Sequence, residues 1–320
     1  MARVDWPEHR GILLAGGRGT RLYPLTTIAS KQLTAVYNKP MIYYSLSTLM
    51  MSGVRDVLLI STPLDLPRFQ DLLGDGSDLG IRIVYEEQAR PGGIAEALII
   101  GADFIADRPS FLMLGDNLLY GRFDFLRDAL RQHGPDAVLF GYQVANPSEY
   151  GVIEFDDSGK AVAIEEKPKS PRSNWAIPGL YVYPPGVSDL AEQLSPSARG
   201  ELEITDLNRL YLDQGRLRVI PMGRGIAWFD TGSPESLLEA SNFIEAVERR
   251  QGLIIGSPEE VAYRMGLIGA DELAAIVGRM PASSYSAYLA EIARGPDSLV
   301  NRGSELYWSD GSSPEANAEV

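Results

Sequence analysis

The stretch Gly11–Arg21, GILLAGGRGTR, decides the fold. Its first part, Gly11 to Ala15, is apolar and is typical of a buried β-strand, and the rest is a glycine-rich turn. Glycines directly after a buried strand allow backbone N–H groups to approach phosphate oxygens, and Arg21 adds a planar cationic group suited to them. Leu22 occupies the third glycine position of the dinucleotide fingerprint, and no Walker GK[ST] follows, so neither motif applies. The stretch predicts an open α/β sheet with an anion-binding turn after its first strand.

Strands and helices alternate after this turn. An apolar helix follows Pro40, and buried strands are expected at Val54–Ser61, Ile81–Tyr85 and Ser110–Leu114, with a helix at Ile94–Phe104. This β-α-β-α order predicts a parallel sheet that is covered by helices on both faces.

Predicted strands become denser from Ala137 onward and indicate a mixed sheet in a second lobe over the first. A strand, RLRVI, then leads to Asp230, and an amphipathic helix runs from Ser233 to about Arg250. Residues 303–320 are rich in Ser, Gly, Glu and Asp without a basic residue, which is typical of a disordered tail.

Composition excludes several classes of mechanism. The chain has 320 residues, a formal net charge of -14, no cysteine and only two histidines, His9 and His133, both expected to be solvated. Thiolate chemistry, disulfides, zinc knuckles and a multi-histidine metal site are therefore excluded. The acidic balance argues against nucleic-acid binding, and the absence of a long apolar run argues against a membrane span. We expect a soluble, cytoplasmic protein that works with Asp, Glu, Arg, Lys and a hard metal ion.

The negative charge is unevenly distributed. Between Glu8 and Asp56 there is no acidic residue, whereas an even spread would place about six there. The basic residues of this segment are Arg10, Arg18, Arg21, Lys31, Lys39 and Arg55. A cationic segment in an acidic protein suits an anionic small-molecule site, although burial of the segment would also exclude acids.

Two carboxylates stand next to predicted strands. Asp116 follows the strand Ser110–Leu114, and Asp230 lies in a turn of the later segment AWFDTG. Ligands of open α/β sheets gather at the carboxyl ends of strands, where a carboxylate is a natural Mg²⁺ ligand. An ordinary Gly-Asp-Asn turn is the alternative. Lys167, at the end of another strand, would on its own be a solvated edge lysine.

From about Arg10 to Leu289 the sequence resembles the bacterial glucose-1-phosphate thymidylyltransferases, a group of sugar nucleotidyltransferases. The segments that carry the resemblance are LAGGRGTRLYP (14–24), SKQL (30–33), KPMIYY (39–44), LGDN (114–117), EEKP (165–168), ARGELEITD (198–206) and AWFDTG (227–232). The glycine motif is shared by sugar nucleotidyltransferases broadly, and ARGELEITD points to the thymidylyl group.

The resemblance implies a Rossmann-like, three-layer α/β/α fold with a mixed, mostly parallel sheet, a sugar-binding lobe and C-terminal helices. The core would comprise residues 1–232, with a nucleotide-binding part at about 10–117 and the sugar-binding lobe at about 118–232. Residues 233–295 would form a helical region for oligomerisation and regulation.

The resemblance also implies the roles of particular residues. The expected catalytic residues are Arg21, Lys167, Asp116 and Asp230, of which the two carboxylates would hold Mg²⁺. The expected nucleotide-binding residues are Leu14, Gly16, Gly17, Gly19, Thr20, Arg21, Lys31, Gln32, Gln88 and Gly93, with Gln88 and Gly93 at the thymine edge. The expected sugar-phosphate residues are Tyr150, Gly151, Glu166, Lys167, Ile177 and Arg199.

The implied reaction is transfer of a thymidylyl group from dTTP to glucose 1-phosphate, which gives dTDP-glucose and pyrophosphate for deoxysugar synthesis such as that of dTDP-rhamnose. Its nucleophile is a phosphate oxygen of the substrate, which fits a chain without cysteine and with few histidines. Family members are commonly homotetramers with a further nucleotide-sugar site, so a dTDP-sugar feedback effector is expected.

Several positions depart from the usual family pattern. Thr34 and Ala35 stand where Leu-Pro is usual, Asn38 replaces an aspartate beside the expected nucleotide site, Gly92 replaces the aspartate of Pro-Asp-Gly, and Pro178 replaces a threonine. These changes leave open another sugar 1-phosphate, or UTP in place of dTTP. A catalytically silent nucleotide-sugar sensor is a more distant alternative, against which the retained charged residues argue. The missing third glycine counts against a nicotinamide oxidoreductase.

Overall fold

The computed structural model describes residues 9–17, 19–132 and 134–294, and its centre is one mixed sheet of ten strands. The strands are β1 (Arg10–Leu14), β2 (Ala35–Val36), β3 (Lys39–Pro40), β4 (Asp56–Ser61), β5 (Arg82–Glu87), β6 (Ser110–Leu114), β7 (Asn117–Tyr120), β8 (Ala137–Gln143), β9 (Gly151–Phe155), β10 (Ala161–Glu166), β11 (Trp175–Ala176), β12 (Leu180–Tyr183), β13 (Leu217–Pro221) and β14 (Ala227–Asp230). The helices are α1 (Met41–Ser52), α2 (Leu66–Leu73), α3 (Glu96–Ile100), α4 (Ala102–Ile105), α5 (Asp124–Gln132), α6 (Val187–Ala191), α7 (Ile204–Asp213), α8 (Pro234–Gln251), α9 (Pro258–Arg264), α10 (Ala270–Arg279) and α11 (Ser284–Ala293).

The strand order of the large sheet is β10-β9-β11-β8-β12-β6-β1-β4-β5, with β13 paired to β8. Strands β6, β1, β4 and β5 are parallel, and β12 joins them antiparallel to β6. The denser strands after Ala137 therefore continue the first sheet instead of forming a separate one. The division into a nucleotide part and a sugar lobe stays a prediction.

Strand β1 shows why helices cover both faces. Its side chains alternate, so that Leu13 joins one apolar core, with α1, while Ile12 and Leu14 join the other, with α3. This arrangement is the three-layer α/β/α fold, and the expected mixed α/β class is confirmed. Helix α8 packs separately, through Leu237 and Ala240, in a third apolar cluster with Val36 and Met41, and it contacts β2 and β14.

Two local expectations are wrong. His9 is buried, with 6% of its surface exposed, because it leads directly into the central strand β1. The helix expected at Ile94–Phe104 is divided into α3 and α4 at Gly101, where a Cβ atom would lie 3.0 Å from Ile12 Cδ1 of the sheet. His133, Arg18 and the tail 303–320 lie outside the described residues.

No helix within the described ranges is both long and apolar enough to cross a membrane.

Candidate active site

A cavity opens where β6, β9, β10, β12 and β14 approach the N-terminus of α7. Nine of the residues singled out from the sequence line it: Arg21, Asp116, Tyr150, Gly151, Glu166, Lys167, Ile177, Arg199 and Asp230. They include all the expected catalytic residues and all the expected sugar-phosphate residues.

The two carboxylates come together through a small second sheet. Strand β14 pairs antiparallel with β7, so that Asp230 lies opposite Asn117, the residue after Asp116. Burial of Asp230, reinforced by the negative charge of Asp116, raises the pKa of Asp230 to about 6. Two acidic groups that are buried within electrostatic reach of each other create a local demand for positive charge.

Lys31 partly neutralises the two carboxylates. Its Nζ donates a hydrogen bond to Asp116 Oδ2, and both side chains are largely buried. Burial opposes the ionisation of Asp116, but the charge and hydrogen bond of Lys31 hold the pKa of Asp116 below its usual value. Asp116 is therefore an ionised carboxylate in a nearly water-free position.

Asn117 and Thr231 hold Asp116 in place through hydrogen bonds. Asn117 Nδ2 donates to Asp116 Oδ1 at 3.2 Å, and Thr231 Oγ1 donates to the Asp116 carbonyl at 2.9 Å. The orientation of the Asn117 amide is set in turn, because its Oδ1 accepts from Trp228 Nε1 at 2.5 Å and from the Gly179 backbone at 3.1 Å.

Arg21 and Lys167 supply further cationic groups. Arg21 lies in a short 3-10 turn directly after Gly19, with its guanidinium over Gly232 and 3.6 Å from Glu149. Lys167 follows β10 with a φ of 44°, a left-handed conformation that costs a lysine about 1–3 kcal/mol. Both lower the pKa of Asp230, which places their charges close to the carboxylate pair.

The cavity wall formed by the expected sugar-phosphate residues is held by neighbouring backbone and side-chain contacts. Ile177 N donates to Gly151 O at 2.8 Å, and Thr205 Oγ1 donates to Glu166 Oε2 at 2.6 Å. The guanidinium of Arg199, expected at the sugar phosphate, is bound by Glu203, with Nη2 2.8 Å from Oε2.

Helix α7 contributes residues that were not predicted from the sequence. Thr205 and Asn208 line the cavity, and Asn208 is completely buried. Asn208 Oδ1 accepts from Tyr183 at 2.7 Å, whereas its Nδ2 has no hydrogen-bond partner within the described residues. Both residues lie in or beside the segment ELEITD, whose helical start and polar side chains were the available signal.

Of the expected nucleotide-binding residues, Arg21 lines this cavity and Lys31 contacts its lining residue Asp116. Gly16, Gly17 and Gly19 lie in the turn after β1 that was predicted to hold phosphates, with φ of 120° at Gly17 and 53° at Gly19. Leu14 is the last residue of β1, and Thr20 begins the 3-10 turn that carries Arg21. Gln32 is buried, and its Oε1 has no hydrogen-bond partner in the described part of the chain.

Gln88 and Gly93 are in contact: Gln88 Nε2 lies 3.2 Å from Gly93 O. Gly93, with a φ of 99°, packs so closely that a Cβ atom there would lie 2.3 Å from Leu202 O. The loop that carries Gly93 is thus packed closely against the loop that carries Arg199 and Leu202.

Asn38, one of the departures from the family pattern, contacts helix α8, because its Nδ2 donates to Glu248 Oε2 at 2.7 Å. Its expected place beside the nucleotide stays a prediction. Lys39 is bound to the same carboxylate and is almost fully buried. These two polar residues therefore serve the attachment of α8.

Asp116 and Asp230 are the residues that could hold a divalent metal ion. Within the described ranges, no group of three or more His, Cys, Asp or Glu side chains forms a metal-binding cluster. Magnesium at phosphate-transfer sites is commonly bound by only one or two carboxylates together with substrate phosphates. The oxygen donors, their burial and the charge repulsion that raises the pKa of Asp230 all fit such an ion.

Comparison with known proteins identifies the family of this chain. The family model for nucleotidyl transferases matches residues 10–247. The chain belongs to the nucleotidyl transferase family. Relatives named glucose-1-phosphate thymidylyltransferase confirm the resemblance: one from Mycolicibacterium smegmatis is 53% identical over 88% of this chain and 98% of its own length. Another, from Xanthomonas campestris, is 52% identical over 90% of this chain and 98% of its own length.

Solved structures of nucleotidyl transferases share the architecture. A Bacillus anthracis protein assigned to the glucose-1-phosphate thymidylyltransferases, crystallised with sucrose, has a TM-score of 0.69 and 35% identity, and the match covers 73% of this chain and 94% of that one. A UDP-glucose pyrophosphorylase in complex with UDP-glucose has a TM-score of 0.65, with 76% and 99% of the two chains covered. At 24% identity it shows the fold alone.

Proposed function

We propose that this nucleotidyl transferase transfers the thymidylyl group of dTTP to glucose 1-phosphate, giving dTDP-glucose and pyrophosphate. The observation that carries the proposal is the cavity that joins the Asp116–Asp230 pair and the cations Arg21 and Lys167 to a polar pocket around Glu166. Relatives that carry this activity in their names and match nearly their whole length give independent support.

The reaction needs no side-chain nucleophile. A phosphate oxygen of glucose 1-phosphate attacks the α-phosphorus of dTTP in line, the new P–O bond forms, and the bond to the leaving pyrophosphate breaks. The protein must bring two polyanions together, align them and stabilise the charge that develops. A site built from lysine, arginine and aspartate, without cysteine, suits this task.

Arg21 and Lys167 would bind different phosphate groups in this proposal. Arg21 follows the glycine turn and would bind the triphosphate through the transition state, since its planar guanidinium can contact two oxygens at once. Lys167 lies on the sugar side next to Glu166 and would bind the phosphate of the incoming sugar. Its left-handed backbone would be maintained for that position.

Asp116 and Asp230 would hold Mg²⁺. When bound there, the ion supplies Lewis-acid neutralisation of phosphate charge. Lys31, hydrogen-bonded to Asp116, would keep that carboxylate ionised and oriented.

The sugar would lie against Tyr150, Gly151, Ile177 and Glu166. Glu166 is the hydrogen-bond acceptor of this wall, and Thr205 holds it in place. Arg199 would exchange its contact with Glu203 for the sugar phosphate, whose denser negative charge suits the guanidinium.

The test is a matrix of dTTP, UTP and dCTP against several sugar 1-phosphates, with Mg²⁺, in which released pyrophosphate is measured. The expected result is the highest kcat/KM for dTTP with glucose 1-phosphate. Nucleotide-sugar binding without pyrophosphate release would instead identify a sensor, and a higher kcat/KM with UTP or another sugar phosphate would reassign the substrates.

Four further expectations stay predictions. The resemblance predicts a homotetramer, feedback by a dTDP-sugar and a place in dTDP-deoxysugar synthesis, and the composition predicts a cytoplasmic location. Light scattering of the purified protein tests the first. Inhibition by a dTDP-sugar that does not compete with glucose 1-phosphate tests the second.

A further inference from the structure

A carboxylate outside the predicted site residues contacts the side chain expected to recognise the base. Glu96, in helix α3, accepts a hydrogen bond from Gln88 Nε2, at 2.7 Å from its Oε2. The same Nε2 also donates to Gly93 O at 3.2 Å. An amide nitrogen has two hydrogens, so these two acceptors engage both of them.

The two acceptors, Gly93 O and the Glu96 carboxylate, fix the orientation of the Gln88 amide. A flipped amide would place Oε1 against a carboxylate and a carbonyl oxygen, both of which can only accept. Oε1 is therefore held on the opposite side, towards the glycine turn, and a Cβ atom at Gly16 would lie 2.6 Å from it. Within the described residues, Gln88 makes its side-chain hydrogen bonds through Nε2 alone, which leaves Oε1 as an acceptor for a ligand.

The loop that carries these acceptors is itself fixed. Leu202 N donates to Gly92 O at 2.7 Å, and Ala95 N donates to Leu202 O at 3.2 Å. Gly93 O and Glu96 are thus held by backbone contacts on both sides of the loop.

Gly92 makes room for Glu96. A Cβ atom at position 92 would lie 2.0 Å from Glu96 Oε2 and 2.1 Å from Glu96 Cδ, so any side chain larger than hydrogen must displace this carboxylate. The Glu96–Gln88 contact therefore requires the glycine that replaces the usual aspartate of Pro-Asp-Gly at position 92.

We propose that Glu96 is a positioning residue for base recognition: it holds Gln88 Oε1 as an acceptor for the N3–H of a thymine or uracil base and thereby disfavours cytosine. Cytosine has an unprotonated N3, so the same position would bring two acceptors together, and an unpaired buried acceptor is costly. The inference rests on the proposed function, since it assigns the base of that reaction's nucleotide.

The experiment compares wild type with Glu96→Ala, Gly92→Ala and the control Glu87→Ala. Glu87 is an exposed carboxylate next to Gln88 in sequence. Steady-state kinetics with dTTP and dCTP are measured at saturating glucose 1-phosphate, and the affinity of each triphosphate is measured by calorimetry. Thermal melting establishes that each variant is folded.

Glu96→Ala is expected to raise KM for dTTP about tenfold with kcat nearly unchanged, and to lower the dTTP-to-dCTP ratio of kcat/KM about tenfold, since a charge-assisted hydrogen bond orients the amide. Gly92→Ala is expected to act in the same direction without removing the carboxylate. Glu87→Ala is expected to keep the wild-type ratio.

An unchanged dTTP-to-dCTP preference in both Glu96→Ala and Gly92→Ala would overturn the proposal, as would equal binding of dTTP and dCTP by the wild type. If Glu96→Ala does not fold, Gly92→Ala decides alone. Failure of the proposed function looks different: the wild type would release no pyrophosphate with any triphosphate, while calorimetry would still report whether Glu96 governs the choice of base.

Discussion

Lys31 and Asp116 form a hydrogen-bonded ion pair between a 3-10 turn of the acid-free segment and the end of the central strand β6. The pair is largely buried, and Asp230 lies close enough for its pKa to be raised by the charge of Asp116 and lowered by that of Lys31. Three charges therefore act as one unit, in which Lys31 neutralises one of two carboxylates.

Removal of Lys31 is expected to disable this unit. Lys31→Met leaves two buried carboxylates with less compensation, so the pKa of Asp230 should rise further and the pair should lose its ordered arrangement. We expect kcat/KM for dTTP to fall about 100-fold, because loss of a positioned cationic group in a buried site costs about 3 kcal/mol. Initial-rate kinetics measure the loss, and Lys169→Met, which removes an exposed lysine, is the matched control.

Arg21→Ala and Lys167→Ala are each expected to lower turnover by about 100-fold or more while the fold is kept, since each removes a charge that would stabilise the transition state. Both side chains are about half exposed, so their truncation leaves no cavity in the apolar core. Pyrophosphate release and thermal melting measure the two effects. Arg172→Ala, whose side chain is 80% exposed, provides the arginine control, and near-normal turnover in either test variant would contradict the assigned role.

The sequence predicted β1, β4, β5, β6 and helix α1 because the signals for these elements are local. An apolar strand followed by glycines predicts β1 and its turn, and Gly53, with a φ of 101°, ends helix α1 as expected. The course of β13 was not predictable, because its parallel pairing with β8 depends on residues about eighty positions apart. Local periodicity carries no information about such pairing.

In the candidate site, too, local signals were predictable from the sequence and contacts between distant segments were not. Asp116 was found because it follows a buried strand, and Asp230 because it lies in a recognisable motif, but their closeness depends on the β7–β14 pairing. Glu96 was missed because its contact with Gln88 requires a loop geometry that only Gly92 permits. Of the cations in the acid-free segment, Lys39 proved to be structural, because Glu248 from helix α8 neutralises it.

Thr205 is expected to act through Glu166 on sugar binding. Thr205→Val keeps the shape of the side chain but removes the hydroxyl that donates to Glu166 Oε2 at 2.6 Å. We expect KM for glucose 1-phosphate to rise about fivefold to tenfold, with KM for dTTP unchanged. A hydrogen bond to a charged group contributes about 1.5–3 kcal/mol, and a water molecule that replaces the hydroxyl recovers part of this energy. Thr205→Ser, which keeps the hydroxyl, should retain the wild-type KM. An equal rise in both KM values would indicate a general structural effect instead.

The Lys39–Glu248 pair is expected to attach helix α8 to the hairpin β2–β3 near Lys31. Lys39 Nζ lies 3.0 Å from Glu248 Oε1, which also accepts from Ile255 N at 2.8 Å, and both side chains are buried. Burial lowers the pKa of Lys39 despite the neighbouring carboxylate, so the ammonium depends strongly on its partner. Removal of one member of such a pair leaves an uncompensated charge and costs about 3–5 kcal/mol.

A double-mutant cycle separates this pairing from simple loss of contacts. Lys39→Met and Glu248→Gln should each reduce the free energy of unfolding, measured by urea denaturation at a fixed protein concentration. The double variant restores local neutrality and keeps an amide oxygen for Ile255 N, so it should lose less than the sum of the two single losses. Strict additivity would mean that the two side chains stabilise the protein independently, and the ion pair would then have no part in holding helix α8 against the segment that carries Lys31.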